Sequence, residues 1–440
     1  MGTLLDLGEW SAHQRAILVL SALAVTFDGF DLQLVGFALP AIVKSWGIAR
    51  AAFAPVLALG IFGMSVGTII GGALGDRFGR RVALIINLLV VGVATGLTGL
   101  STNLAGFAVF RFIAGAGIGG VLPNASALSA EFTPLRRRAL AVSLTIVSVP
   151  LGGMLAGVVS GRVLPTLGWK NLFLIGGAAP VALAAVLWLL LPESPRFLSR
   201  HRERWDELRA LLFKMYGAPV GGGDFVDRAE QRVESDSKLT ALVGPGKRRD
   251  TLSLWAAYFC TMLAVYLVFN WFPTLLSSRG LGLAESSNGL TAYNLGGVFG
   301  AVAWAAMIGR VGSRGPLIFA GLGGLLTAAA LNLIPIAPDA DQSWLIGTAA
   351  IHGMFVNALQ TSLFGLAAHV YPTKVRATGL AFAAGLGRFG AMLSAFAGAA
   401  VIQSGRLAYV ETLGLSLAGS VIALLVLRNH IPAGLSKGRG

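Results

Sequence analysis

About twelve long apolar segments follow one another along the 440 residues of this chain, and short polar connections separate nearly all of them. Each segment has about 20 residues or more, the length that a helix needs to cross the hydrocarbon core of a bilayer. Because lipid satisfies no backbone hydrogen bond, such segments span a membrane as helices. We therefore predict an all-α membrane protein with twelve transmembrane helices. The segments are 16–42, 53–74, 82–100, 106–129, 139–163, 171–191, 252–272, 288–308, 316–336, 344–369, 377–402 and 407–428.

The charged residues are few and lie mostly between these segments. They make up 12% of the chain, against about 25% in soluble domains. A formal net charge of +14 would suggest a nucleic-acid partner in a soluble protein, but here the cations lie where they orient a membrane chain. The single cysteine, Cys260, excludes an intramolecular disulfide. We expect no enzyme, no metal, no cofactor and no nucleic-acid partner.

The Lys and Arg residues predict the orientation of the chain. Clusters such as 77–81, 136–138 and the basic tail fall on one side, and the connections on the other side hold only scattered cations. By the positive-inside rule, both termini are cytoplasmic. The first apolar run has no small-residue cleavage site, so we expect it to be retained as a span.

One long polar interruption divides six spans from six. We predict a first bundle over 1–191, a cytoplasmic linker over 192–250, and a second bundle with a short cytoplasmic tail over 251–440. The linker contains a predicted amphipathic helix, which the glycines at 221–223 end. It is either a plain connection or a surface helix that braces the two halves. The apolar residues that recur at helical spacing in this predicted helix are Trp205, Leu208, Leu212 and Met215.

The two halves of the chain repeat each other. Residues 131–139, after the fourth span, match residues 369–377 after the tenth. Residues 75–81, after the second span, correspond to residues 309–314 after the eighth. Parallel repeats of this kind build transporters with a substrate site near the membrane midplane, between the halves.

Four motifs resemble those of the Major Facilitator Superfamily, and the likeness covers nearly the whole chain. They are Gly75–Arg81 between spans 2 and 3, Arg111–Gly119 in span 4, Pro192–Arg196 after span 6, and Asp28–Asp31 in span 1. Within the superfamily, the last of these resembles the helix 1 signature of the aromatic acid:proton symporters.

The resemblance implies two six-helix bundles and a secondary active transporter. It would import an aromatic carboxylate of the benzoate or hydroxybenzoate class with protons, by alternating access, in the bacterial inner membrane and as a monomer. The alternatives are a transporter of another organic acid, an exporter, or a polytopic membrane receptor.

Two departures from the family pattern stand out. Gly309 occupies a position where members often have an acid, so the second cytoplasmic gate is either weaker or built differently. The motif that sugar porters carry after helix 12 is missing from residues 428–434, which disfavours a sugar substrate.

Two acids lie near the centre of the first span. An ionised carboxylate there costs about 2.5–3.5 kcal/mol on insertion scales, and Asp28 and Asp31 share one helical face. They are either neutralised by structural partners or form a proton site beside an aqueous cavity. Arg111 lies at a depth comparable with that of Asp31, so a pair is possible. It would act as a fixed strut or couple proton uptake to rupture of the pair.

Arg388 is a second deep cation, in the eleventh span, and the interior of the second half has no acid at similar depth. A substrate carboxylate suits its planar fork. The alternative is a pair across the two halves with Asp28 or Asp31.

Other polar and aromatic residues within spans are candidates for substrate binding, although such side chains more often serve packing. A cytoplasmic charged set forms a candidate gate, against the alternative of weak surface pairs. The glycines at 115–120 indicate close helix packing and not a dinucleotide site. The binding candidates are His352, Asn270, Asn294, Asn357, Gln360, Tyr293 and Phe355. The gating candidates are Asp76, Arg77, Arg80, Arg81, Glu131 and Arg376.

Overall fold

The computed structural model describes residues 6, 8, 10–216, 225, 242–244, 247–371 and 375–434, with the backbone alone at 139, 376 and 377. Six long helices form the first half: α1 (Ala12–Trp46), α2 (Ala54–Phe78), α3 (Arg80–Gly99), α4 (Leu104–Phe132), α5 (Leu135–Thr166) and α6 (Gly168–Leu190). Two shorter helices follow, α7 (Pro195–Arg200) and α8 (Trp205–Tyr216). The second half contains α9 (Arg248–Ser278), α10 (Leu283–Val311), α11 (Arg314–Leu333), α12 (Ser343–Val370), α13 (Arg376–Ser404) and α14 (Arg406–Val426).

Eleven of these twelve long helices are long and apolar enough to cross a membrane. The exception is α12, which has 28 residues but carries several polar side chains that lower its hydropathy. His352, Asn357 and Gln360 are among them. The prediction of an all-α membrane fold with twelve transmembrane helices is confirmed.

Capping, and not hydrophobicity, determines where α1 begins and ends. The Ser11 hydroxyl accepts the backbone N–H of Gln14, whose side chain accepts the N–H of Ser11 in return. At the other end, Gly47 adopts a left-handed φ of 65° that residues with a Cβ rarely take. The helix therefore extends several residues beyond the apolar run 16–42 at both ends.

The helix contacts repeat from one half to the other. In the first half α2 packs along α4, α1 along α5, and α3 along α6. In the second half the equivalent pairs are α10 with α12, α9 with α13, and α11 with α14. Each half is therefore one six-helix bundle, and the sequence repeat corresponds to a repeat of packing.

Glycine allows α2 and α4 to approach backbone to backbone. A Cβ on Gly67 would collide with the carbonyl of Ala116, and one on Gly115 would collide with the carbonyl of Gly60. The glycine-rich pattern in α4 thus serves helix packing, in agreement with the sequence interpretation.

The two bundles meet along α5 with α10, α2 with α13, and α1 with α9. Helix α1 begins and α14 ends on the same face of the molecule, which we call the terminal face; the opposite one is the distal face. In the distal half the bundles touch closely. A Cβ on Gly36 of α1 would collide with the carbonyl of Phe269 of α9, and one on Gly157 of α5 with the Thr291 side chain of α10.

Helix α8 packs its apolar side against the first bundle. Leu208, Leu211, Leu212 and Met215 are buried in one cluster with residues of α1, α4 and α6. The glycines at 221–223 lie outside the described residues.

Candidate functional site

A buried ion pair joins α1 to α4 in the first bundle. Arg111 Nη1 lies 3.2 Å from Asp31 Oδ2, and Nη2 lies 3.3 Å from Asp31 Oδ1. Asp31 is 0% exposed and Arg111 is 6% exposed. The ring of Phe173 lies 5.5 Å below the guanidinium carbon. Because two buried charges are stable only when well paired, this bidentate contact satisfies the main requirement.

Thr95 of α3 contacts both members of the pair. Its hydroxyl donates to Asp31 Oδ1 at 2.5 Å and accepts from Arg111 Nη2 at 2.7 Å. Sequence reasoning missed this residue, since a threonine in an apolar span usually bonds a carbonyl of its own helix. Thr98, one turn further on, makes that ordinary bond to the Ala94 carbonyl.

Asp28 is also buried, but its surroundings differ. It is 4% exposed, and no donor among the described residues contacts Oδ1. It interacts electrostatically with Asp31, on the same helix, and with Arg388 of the second bundle. The two acids therefore lie in one charged centre: Asp31 is paired with Arg111, and Asp28 has no ion pair among the described residues.

Arg388 connects the bundles through a neutral group. Its Nη2 donates to Thr68 Oγ1 of α2 at 2.7 Å, and the guanidinium also interacts electrostatically with Tyr266 and Asp28. Asp28 is thus an acid of the first bundle near Arg388, although the two side chains form no direct ion pair. Thr68 is a second residue that the sequence did not single out.

A small cavity of about 40 Å³ lies between the bundles beside this centre. Asp31 and Arg111 line it from the first bundle, and Tyr266 and Asn270 from the second. Within the described residues, Asn270 Nδ2 is buried and has no acceptor. The volume accommodates a few water molecules and is too small for an organic acid. The remaining lining is mainly aliphatic.

His352 and Tyr293 lie at a different cavity, of about 10 Å³, inside the second bundle. His352 Nδ1 lies 2.8 Å from Thr327 Oγ1, and the His352 and Tyr293 rings are 5.8 Å apart. Neither His352 Nε2 nor the Tyr293 hydroxyl has a partner within the described part of the chain.

The other predicted binding residues are dispersed. Asn294 exchanges hydrogen bonds with Gln33, so its amide is already occupied. Gln360 Nε2 lies 3.4 Å from Met262 Sδ. Asn357 Nδ2 is buried without a described acceptor. Phe355 packs against the rings of two other aromatic residues, Trp304 and Phe319, in the second bundle.

Part of the predicted gate is assembled at the terminal face. Arg80 Nη2 lies 2.6 Å from Asp76 Oδ1, and Arg80 Nε lies 3.9 Å from Glu131 Oε1. The Ser194 hydroxyl donates to Glu131. Arg77 instead lies over the Phe78 ring. The side chain of Arg376 lies outside the described residues.

Glu193 ties the loop after α6 to the start of α3. Its Oε1 accepts the backbone N–H of Arg81 at 3.1 Å and that of Ser194 at 2.8 Å. Burial raises the pKa of Glu193, and these N–H donors oppose the rise only in part. The Arg81 guanidinium donates to the backbone carbonyl of Trp188 and lies over the indole ring of the same residue.

The corresponding loop of the second half is held differently. The Ser313 N–H donates to the Ile431 carbonyl, and the Ser313 hydroxyl accepts the Ile431 N–H, both at 2.9 Å. Asp250 Oδ1 accepts the N–H of Arg428. A Cβ on Gly309 would meet nothing within 4 Å. Hydrogen bonds between Ser313 and the segment after α14 thus hold this loop in place.

Two repeated bundles of transmembrane helices that meet around buried charges define a secondary membrane transporter. The chain belongs to the Major Facilitator Superfamily, whose family model matches residues 21–395 and 254–439. It is therefore a multi-pass membrane transporter and not an enzyme.

Relatives agree over nearly full length. The chain is 34% identical to a gallate transporter of Pseudomonas putida, over 97% of this chain and 95% of that protein. It is 34% identical to a 4-hydroxybenzoate transporter of Pseudomonas aeruginosa, over 96% of this chain and 95% of that protein. It is 30% identical to a benzoate transport protein of Acinetobacter baylyi, over 87% of this chain and 82% of that protein.

Two solved structures share the fold. A D-xylose–proton symporter superposes with a TM-score of 0.71 at 17% identity, over 97% of this chain and 100% of that chain. The inward-open xylose transporter XylE from E. coli gives a TM-score of 0.73 at 16% identity, over 97% of this chain and 98% of that chain. At these identities the likeness establishes the fold alone.

Proposed function

We propose that this chain is a proton-coupled symporter that imports an aromatic carboxylate of the benzoate and hydroxybenzoate class by alternating access. The relatives are named for gallate, 4-hydroxybenzoate and benzoate, which share a ring and a carboxylate. The observation that carries the proposal is the buried Asp31–Arg111 pair beside a cavity between the bundles.

Proton coupling would act through this pair. A proton on Asp31 removes the negative charge that holds Arg111, so the ionic part of the contact is lost. The freed guanidinium then needs another anion or water, because a buried unpaired cation is unfavourable. Proton binding would thereby change the interactions that link α1 to α4 next to the cavity.

Asp28 would hold a proton in the conformation described here. An unpaired ionised carboxylate in a buried position costs several kcal/mol, whereas a protonated one does not carry that charge. The negative charge of Asp31 disfavours ionised Asp28, and the positive charge of Arg388 favours it. Asp28 is thus suited to exchange its proton when either neighbour changes its contacts.

Arg388 would anchor the carboxylate of the substrate. Its only described hydrogen bond goes to the neutral Thr68 hydroxyl. A carboxylate matches the guanidinium fork with two charge-assisted bonds and would displace that hydroxyl. Because Thr68 and Arg388 belong to different bundles, this exchange would change the contact between them. A bound acid needs more room than the cavity of about 40 Å³, so the bundles would have to separate.

The other predicted residues keep their roles as proposals. Asn270 offers an unsatisfied donor at the cavity and would contact a polar substituent of the ring. The network of Asp76, Arg80 and Glu131 would latch the terminal face and break when that face opens. Arg77, Arg81 and Arg376 would belong to the same gate. In conformations with a wider cavity, the remaining candidates for substrate binding are Asn294, Asn357, Gln360, His352, Tyr293 and Phe355.

We also propose the setting. The chain would act as a monomer in the bacterial cytoplasmic membrane, with bundles over 1–191 and 251–440, a cytoplasmic linker over 192–250, and both termini in the cytoplasm. Cysteines introduced at residues 3 and 438 should react with an impermeant maleimide only after the cells are opened. Reaction of either in intact cells would contradict this orientation.

Uptake into vesicles with an imposed pH gradient, acidic outside, tests the function. Labelled benzoate, 4-hydroxybenzoate and gallate should compete with one another and accumulate, and a protonophore should abolish accumulation. Succinate and xylose serve as non-aromatic controls. Accumulation of succinate in preference to every aromatic acid would assign the chain to another organic acid.

A further inference from the structure

We propose that Thr95 is the positioning residue that switches the Asp31–Arg111 pair between its bound and released states. The proposal rests on proton coupling through Asp31. It assigns a role in transport to a residue of α3 that carries no charge.

The geometry shows one hydroxyl holding both charges. The Thr95 proton points to Asp31 Oδ1, and a lone pair of the same oxygen receives Arg111 Nη2. These contacts lie at hydrogen-bond distance, 2.5 and 2.7 Å, beside the direct guanidinium–carboxylate contacts of 3.2 and 3.3 Å. The hydroxyl therefore stabilises ionised Asp31 and orients Arg111 at the same time.

A proton on Asp31 reverses this arrangement. When the proton binds Oδ1, the new O–H of Asp31 becomes a donor to Thr95 Oγ1, and the Thr95 hydroxyl turns its own proton away from that oxygen. A carbonyl of its own helix is the usual acceptor for a buried threonine, as Thr98 shows with Ala94. The Arg111 guanidinium then faces a neutral carboxyl and loses its ionic partner. The proton comes from water in the cavity that Asp31 lines and ends on Asp31, and no other covalent bond is made or broken.

The surroundings make Thr95 separable from the charges. It is 0% exposed and uncharged, so replacing it with valine leaves the net charge of the centre unchanged. The helices packed around α1 also contribute the Phe173 ring from α6, the Gly152 backbone from α5 and the Asn294 amide from α10. The titratable and charged groups at the centre are Asp28, Asp31, Arg111, Tyr266 and Arg388.

The test is the pH profile of initial uptake rates of labelled 4-hydroxybenzoate by purified protein in liposomes. T95V keeps the shape of the side chain but removes the hydroxyl, so Asp31 loses a hydrogen-bond donor and Arg111 loses an acceptor. We expect the midpoint of the profile to move up by about one pH unit, because a hydrogen bond to a charged group is lost. The maximal rate should fall, since proton release is slower. T95S restores the hydroxyl and should restore the wild-type midpoint.

Three comparisons keep the outcome decisive. T98V removes an equally buried hydroxyl one turn away and should leave the midpoint unchanged. Melting temperatures of all variants separate misfolding from a change in coupling. D31N should flatten the pH profile; if it does not, the proposed proton coupling is wrong. If D31N flattens the profile but T95V and T95S both keep the wild-type midpoint, Thr95 is a packing residue and this inference alone is overturned.

Discussion

Gln33 of α1 and Asn294 of α10 exchange two side-chain hydrogen bonds across the interface between the bundles. Gln33 Nε2 donates to Asn294 Oδ1 at 3.0 Å, and Asn294 Nδ2 donates to Gln33 Oε1 at 2.7 Å. Both side chains are 0% exposed. The pair lies toward the distal face, where the bundles pack closely. Opening the transporter on that face therefore requires the two amides to separate.

Replacing one member of this pair should favour opening at the distal face. N294L leaves the Gln33 amide buried without a partner, which costs about 1–3 kcal/mol in the closed state. In a C260S background that also carries T291C, N294L should then react with a maleimide several-fold faster than the protein with the intact pair. The double variant Q33L/N294L removes both amides and should return labelling toward the background rate. Equal labelling in all three proteins would show that the pair does not hold this face closed.

Neutralising the acids of α1 should separate exchange from accumulation. D28N and D31N keep the side-chain shape but cannot bind and release a proton. We expect each to abolish accumulation against a gradient while counterflow of labelled benzoate between two equal pools persists. The D28N/D31N double variant makes the sharpest case, because full accumulation by that protein would remove both acids from the coupling mechanism. E207Q, on the surface of α8, controls for the loss of a carboxylate.

Substitution of Arg388 should weaken binding of the carboxylate specifically. R388K keeps the charge but loses the planar fork, and the loss of a charge-assisted bond of about 1.5–3 kcal/mol corresponds to roughly ten- to a hundredfold in affinity. In R388A, benzoate should lose its advantage over benzamide. Equilibrium binding to purified protein measures both ligands, and R279K, in an exposed connection, is the control. An unchanged benzoate-to-benzamide ratio in R388A would make Arg111 the next candidate.

Glu193 should make the stability of the terminal face depend on pH. Because burial raises its pKa, the folded protein holds this proton more tightly than the unfolded chain does. Its contribution is therefore most favourable at low pH and is lost as pH rises through the raised pKa. E193Q keeps one oxygen that can accept both backbone N–H groups, as Glu193 Oε1 does, and removes the buried charge.

The measurement for Glu193 is the melting temperature in detergent at pH 5.5 and pH 8. At pH 8, E193Q should melt about 1–3 °C above the wild type. The difference should shrink at pH 5.5. E207Q, which removes an exposed carboxylate paired with Arg204, should show no such dependence. A lower melting temperature for E193Q at pH 8 would contradict the expected cost of this buried charge.

Much of the fold was predictable because membrane insertion imposes strong rules on sequence. The segment 344–369 became α12 (Ser343–Val370), which is nearly the same range. The ends of α1 were predicted less well, since the capping contacts of Ser11 and Gly47 extend the helix beyond the bilayer-length apolar run.

The candidate site was predictable only where charge made a residue conspicuous. Asp28, Asp31, Arg111 and Arg388 drew attention because a charged group in an apolar span needs a reason. Threonine and glutamine carry no such cost when they bond their own helix, so nothing in the sequence distinguished Thr95 from Thr98. Only their positions relative to α1 and α4 separate them.

The sequence by itself determined the number of spans, the repeat of the two halves and the placement of ionisable groups within the membrane. Those properties depend on each segment's own hydrophobicity and on the cost of burying charge. The tertiary structure alone decided that Asp31 is paired with Arg111, that Asp28 Oδ1 has no donor among the described residues, and that Arg388 meets Thr68. Such pairings depend on the rotation and close approach of helices distant in sequence, which the packing of the whole bundle determines.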